Sequence, residues 1–153
     1  MKDYKLIIFD WYGTLVDIVK DQPFAESFTV LDSLVKKGKT LAIVTSMHRL
    51  VLENSLEEHN LSQFFSTNRT ASDKFVKPHA DVIHSILEEL NISSENTLMV
   101  GDSANDLLMA KNANVDSVGI TSGTEGKETL LKYSPIFCID KIDQLLDTLD
   151  FSK

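Results

Sequence analysis

Leu6-Ile7-Ile8-Phe9 runs directly into Asp10-Trp11-Tyr12-Gly13-Thr14. The apolar run reads as a strand, and Gly13 marks the turn by which the chain leaves it. The same device recurs downstream. Leu41-Ala42-Ile43-Val44 ends at Thr45-Ser46, and Leu98-Met99-Val100 ends at Gly101-Asp102, with Asp106 four residues on. Between these two runs, Lys77 immediately precedes Pro78.

Helical patterns fill the gaps. Phe24, Phe28, Leu31, Leu34 and Val35 recur at helical spacing, and Gly38 closes that stretch. Leu50 to Leu56 is a second helix, and Phe64-Phe65 opens a short third strand. Pro78 starts a helix whose apolar face is Val82, Ile83, Ile86, Leu87 and Leu90. Leu107, Leu108 and Ala110 begin another, Val115 to Ile120 is a further strand, and Ile136–Ile139 with Ile142–Leu149 end the chain. Strands alternating with helices predict right-handed crossovers and an α/β, doubly wound, mainly parallel sheet. A single domain over residues 1–153 fits that length.

In such sheets ligands bind beyond the carboxyl ends of the strands. Asp10, Thr45, Lys77 and Asp102 therefore converge from distant sequence. Asp10 and Asp102 offer hard oxygen ligands suited to Mg²⁺. The metal would offset repulsion between a carboxylate nucleophile and a phosphoryl group. Lys77 adds positive charge, Thr45 and nearby N–H groups can hold phosphate oxygens, and Asp10 can attack phosphorus to form an aspartyl-phosphate.

Ile8–Asp17, Val44-Thr45-Ser46, Lys77-Pro78 and Val100–Asp106 resemble, in order and separation, the four signatures of the haloacid dehalogenase superfamily over residues 4 to about 121. The resemblance implies a Rossmann-like core. Asp10 would be the nucleophile and, with the Tyr12 carbonyl and Asp102, a metal ligand. Asp106 would orient a metal-bound water or Lys77. Thr45 and Lys77, with Tyr12, Gly13 and Ser46 alongside, would bind the phosphoryl group of a phosphorylated substrate.

Phosphatases of this superfamily usually carry Asp two residues after the nucleophile, where this chain has Tyr12. A phenol with pKa near ~10 is a poor base at neutral pH. Acid–base help of about 10²–10⁴-fold is then lost, which predicts slow turnover or a long-lived aspartyl-phosphate. His48, just past the second strand, is the nearest substitute; a solvated helix-start histidine is the simpler reading. Tyrosine here also resembles the 2-haloacid dehalogenases, which need no metal, lack the residue equivalent to Asp102 and carry a cap domain. A phospho-accepting or non-catalytic module is the third alternative. Neither usual insertion site leaves room for a cap, so the resemblance is to capless members, which take bulky substrates or close the site as homo-oligomers.

The remaining signals exclude more than they assign. With 15 basic against 23 acidic residues, net −8, general affinity for nucleic acid or anionic membrane is disfavoured. No apolar run approaches the ~18 residues of a membrane span, and the run after Lys5 is too short for a signal-peptide core, so a cytoplasmic location is expected. Cys138, the single cysteine, reads as an inert buried strand residue. Gly123–Glu128 is expected to be a turn or a substrate-side loop, since it lacks the residues of a nucleotide P-loop. Asp17 either bonds backbone groups of the first loop or is solvated. Trp11 faces either the core or the mouth. Residues 18–23 would make a small flap.

Overall fold

The computed structural model describes residues 2–149. Met1 and residues 150–153 of the expected single domain lie outside the described residues. The chain runs β1 (Leu6–Phe9), a hairpin of β2 (Val16–Asp17) and β3 (Gln22–Pro23), α1 (Ser27–Lys36), β4 (Thr40–Val44) and α2 (Arg49–Glu58). It continues through β5 (Thr67–Arg69), α3 (Ala80–Leu90), β6 (Thr97–Gly101), α4 (Ala104–Asn112), β7 (Asp116–Ile120), α5 (Lys127–Leu131), β8 (Phe137–Ile139) and α6 (Gln144–Thr148). Six strands form one parallel sheet in the order β5-β4-β1-β6-β7-β8. This is the doubly wound α/β architecture that the alternation predicts.

The order reverses at β1. The chain builds outward through β4 to β5, then α3 carries it back to lay β6 on the other side of β1. Side chains of β1 alternate between two cores, as a strand buried on both faces requires. Ile7 and Phe9 join Leu31 and Leu34 of α1 and Leu52 of α2. Leu6 and Ile8 join Ile83 and Ile86 of α3 and Met109 and Ala110 of α4. Trp11 is fully buried in the first core and donates its indole N–H to Ser55 Oγ at 3.1 Å, so it faces the core rather than the mouth.

Four sequence expectations need correction. Phe64-Phe65 does not open the third strand of the sheet: Ser62–Phe64 is a 3₁₀ turn that buries Phe64, and the strand is the polar Thr67–Arg69. An edge strand needs no apolar run, because one flank is open to water, and the Arg69 guanidinium pairs with Glu89 at 2.9 Å. Pro78 does not begin α3. It follows a cis bond from Lys77, and His79 caps the helix by accepting from the Asp81 N–H at 3.0 Å. Phe28 and Val35 lie on the outer side of α1, with Phe28 half exposed and edge-on to Phe64 at 5.1 Å. Cys138 is only partly buried on the outer strand β8, and burial pushes its thiol pKa up, away from the reactive thiolate. α5 is an element that periodicity does not announce: it has five residues.

Residues 18–23 do form a hairpin turn with β3, pinned by the Asp17 carboxylate accepting from the Val19 and Lys20 N–H groups at 2.8 and 3.2 Å. Among the described residues no helix is long and apolar enough to cross a membrane.

Candidate active site

The carboxyl edge of the sheet gathers three acids. Asp10 leaves β1, Asp102 leaves the neighbouring β6, and Asp106 lies in the first turn of α4. They are 8%, 2% and 0% exposed, and one oxygen from each falls within 4.8 Å of the others. Lys77 reaches in from the loop before α3 and donates to Asp10 Oδ1 and Asp106 Oδ1, both at 2.7 Å. Two of these buried carboxylates thus share one ammonium, and the third, Asp102, stands beside them without it.

Electrostatics follow from that count. Burial raises the Asp10 pKa to about 6; Lys77 opposes the rise and Asp102 adds to it. Burial also raises Asp106 to about 7, with Asp10 adding to it and Lys77 opposing. Burial alone would lower the Lys77 pKa, but the charges of Asp10 and Asp106 outweigh it, so the side chain stays an ammonium.

Each acid is held by backbone and hydroxyl donors. Asp10 Oδ1 accepts from the Trp11 N–H at 2.7 Å. Asp106 closes a capping box on α4, accepting from Ser103 while the Ser103 hydroxyl accepts from the Asp106 N–H. Asp102 accepts from the Thr14 hydroxyl at 3.2 Å and from the Thr124 N–H at 3.2 Å. Two glycines press on its carboxylate. A methyl at Gly13 would lie 2.2 Å from Asp102 Oδ2, and one at Gly123 would lie 2.0 Å from it. Gly13 also takes φ +86°, which only glycine adopts cheaply. Ser122 ties the two loops together by donating to the Gly13 carbonyl at 2.8 Å, and Glu125 accepts from the Ala104 N–H at 2.7 Å.

A cavity of about 350 Å³ opens above the acids, lined by Asp10, Tyr12, Ile18, Thr45, Ser46, Met47, Lys77, Asp102, Ser103, Asn105 and Thr124. Thr45 is buried, and its hydroxyl accepts from the Met47 N–H at 3.2 Å. Ser46 is exposed at the mouth. The structure therefore brings Asp10, Tyr12, Gly13, Thr45, Ser46, Lys77, Asp102 and Asp106 to one place. His48 is the exposed N-cap of α2 and is not among the lining residues. The Tyr12 phenol donates to Asp21 Oδ1 at 2.6 Å, and this bond, with burial, raises its pKa to about 12.

Thr14 lies in the first signature, and Gly123 and Thr124 in the segment expected to be a turn or a substrate-side loop, but their hold on Asp102, and Ser122 altogether, escape motif reading. The usable signal was position alone: the loop after β7 leaves the same sheet edge.

The donor set fits a hard divalent cation. Buried carboxylate oxygens, surplus negative charge and a carboxylate cradled by glycines are what Mg²⁺ or a similar ion asks of a protein. Asp10 and Asp102 are the ligand candidates, with Asp106 beside them.

Comparison with known proteins agrees with the fold and these motifs. The family model for haloacid dehalogenase-like hydrolases matches residues 7–120. A phosphoglycolate phosphatase of Colwellia psychrerythraea is 38% identical over 120 residues, which is 76% of this chain and 52% of that protein. A pyrophosphatase PpaX of Bacillus mycoides is 34% identical over 123 residues, 80% of this chain and 57% of that one. Among solved structures, a haloacid dehalogenase-like hydrolase from Streptococcus pneumoniae superposes with TM-score 0.86 at 20% identity, covering 97% of this chain and 100% of that one. A predicted phosphatase from Clostridium acetobutylicum gives 0.77 at 26% identity, covering 84% and 60%. The chain belongs to the haloacid dehalogenase-like hydrolase family. It spans about half the length of the curated relatives that it matches.

Proposed function

We propose that this chain is a Mg²⁺-dependent phosphomonoester hydrolase that works through an aspartyl-phosphate at Asp10. The observation that carries the reading is the buried trio Asp10, Asp102 and Asp106, two of them paired with Lys77, with Thr45 on the wall of the same cavity.

Asp10, Asp102 and the Tyr12 carbonyl would hold the ion, which when bound neutralises phosphoryl charge and screens the acids from one another. The Thr45 hydroxyl, Ser46 and Lys77 orient the phosphoryl oxygens. The Asp10 carboxylate forms a bond to phosphorus as the bond to the ester oxygen breaks. The departing alkoxide takes its proton from solvent, since a phenol held by Asp21 with a pKa of about 12 neither donates to it readily nor serves as a base. Water then attacks the acyl phosphate, releasing phosphate and restoring Asp10. Without a carboxyl at position 12 that second step is slow, and the phosphorylated form accumulates. Asp106 holds the Lys77 ammonium in place from the first turn of α4.

Asp102 disfavours the dehalogenase alternative, because those enzymes need no metal and lack the equivalent residue, whereas here it stands beside Asp10 as a second hard oxygen ligand. The Tyr12–Asp21 bond keeps the phospho-accepting alternative open. A cytoplasmic location, the absence of a nucleic-acid partner and closure of the open site by a second copy complete the reading.

The test is release of phosphate from a panel of phosphomonoesters, with Mg²⁺ and with EDTA, for the wild type and Asp10→Asn. Metal-dependent release that vanishes in the variant, with circular dichroism unchanged, is expected. Release by the variant at the wild-type level would remove Asp10 from the nucleophile role. A stable phosphoprotein without turnover would mark a phospho-acceptor.

A further inference from the structure

Resting on the phosphohydrolase reading, we infer that the leaving-group side of the cavity selects phosphomonoesters of an uncharged, partly apolar alcohol and rejects those whose leaving part carries its own carboxylate or phosphate. Outside the acid cluster the wall is the Tyr12 ring, Ile18 and Met47, with neutral Ser46, Asn105 and Thr124. Among the described residues lining the cavity Lys77 is the one cation, and its ammonium is engaged by Asp10 and Asp106.

The surroundings do not repair this. Asp21, held 2.6 Å from the Tyr12 hydroxyl, places a further carboxylate beside that wall. Arg49, at the start of α2, is tied to Asn68 at 2.5 Å and Asp73 at 2.6 Å on the β5 side. Lys20 shares the hairpin with Ile18 but is not among the lining residues. Ile18 is half exposed and its neighbour Val19 is 92% exposed, so the apolar surface continues outward from the cavity. A second anionic group on the substrate would lose water against apolar side chains and meet carboxylates without a counter-charge. An alkyl or aryl group would instead cover Ile18 and Met47.

This sets the chain apart from its relatives named for phosphoglycolate and pyrophosphate, since both of those compounds bear a second anionic group. The determinant is what lines the mouth, not the phosphoryl site.

The experiment compares kcat/KM for n-butyl phosphate, 2-phosphoglycolate and pyrophosphate with the full chain in excess Mg²⁺ at fixed pH and ionic strength. Ile18→Lys and Met47→Lys serve as charge-introducing variants. Ile18 is exposed on a hairpin, so its replacement leaves the core intact. The wild type is expected to favour n-butyl phosphate over 2-phosphoglycolate by at least tenfold. Ile18→Lys should narrow that ratio severalfold by raising kcat/KM for 2-phosphoglycolate. Hydrolysis of all three compounds without preference, a preference for 2-phosphoglycolate or pyrophosphate, or a ratio that neither lysine variant moves overturns the inference alone. Hydrolysis of none of them overturns the phosphohydrolase reading and this inference with it.

Discussion

Gly123 brings no functional group to the site, yet its missing side chain shapes it. A methyl there would sit 2.0 Å from Asp102 Oδ2, inside any real contact distance, and on the opposite flank Gly13 leaves as little room. Gly123→Ala must therefore displace either the β7–α5 loop or the carboxylate. Overpacking of this kind costs about 1–3 kcal/mol of stability. We expect the Mg²⁺ affinity of the variant, read by titration calorimetry, to fall at least tenfold; an unchanged dissociation constant would mean that the glycines do not set the position of Asp102. At this scale much was legible in advance. Asp10, Thr45 and Asp102 each stand where a strand ends, a position readable from apolar runs; Asp106 lies one turn into the helix that follows, and Lys77 was legible as the residue before Pro78. Gly123–Glu128 was legible as a turn or a substrate-side loop, but the parts played by Ser122, Gly123 and Thr124 were not, because they act through contacts with Asp102 and Gly13, far away in sequence. Trp11 was ambiguous for a related reason: only the Ser55 hydroxyl, on α2, decides which way the indole points.

The segment joining β5 to α3 delivers Lys77, and the Asp73 carboxylate is one of its fastenings. Asp73 accepts from the Thr70 N–H at 2.7 Å and from Arg49 at 2.6 Å. Burial pushes its pKa up, but the Thr70 N–H and the Arg49 guanidinium outweigh burial and hold it below the ordinary carboxylate range. A lowered folded-state pKa means stability that is present above the unfolded value, near pH ~4, and lost as pH falls through the folded one. Partial exposure keeps this below about 1 kcal/mol. Asp73→Asn should therefore lower the urea midpoint at pH 7, and the gap to wild type should narrow as pH falls below about 4; a gap independent of pH would contradict the assignment. Elements of this kind resist reading from sequence. β5 is Thr67-Asn68-Arg69, with no apolar period, and its strand character comes from pairing with β4. α5 is five residues long, too short for a helical period to show. The apolar runs that became β1, β4 and β6 were legible because burial on both faces leaves little else for them to be.

At the scale of the molecule, the sheet order puts β1 at the reversal, so Asp10 stands where the two wings of the sheet meet. A cation bound there binds only the folded chain and stabilises it by mass action, about 2.7 kcal/mol at a hundredfold excess over the dissociation constant. Thermal unfolding should therefore move upward with added Mg²⁺ and return with EDTA, and Asp102→Asn should blunt the shift. A wild-type midpoint indifferent to millimolar Mg²⁺ would argue against a metal at this cluster. The arrangement reaches beyond chemistry. Asp10 comes from the chain before the α3 crossover, Lys77 from the segment that leads into α3, and Asp102 and Asp106 from the chain after it. The stretch after the crossover holds two acids of the cluster and no ammonium, so a partly assembled chain leaves ionised groups short of counterparts. The cluster that is suited to phosphoryl transfer also rivets the two wings together, making half-assembled forms poor company for the native one.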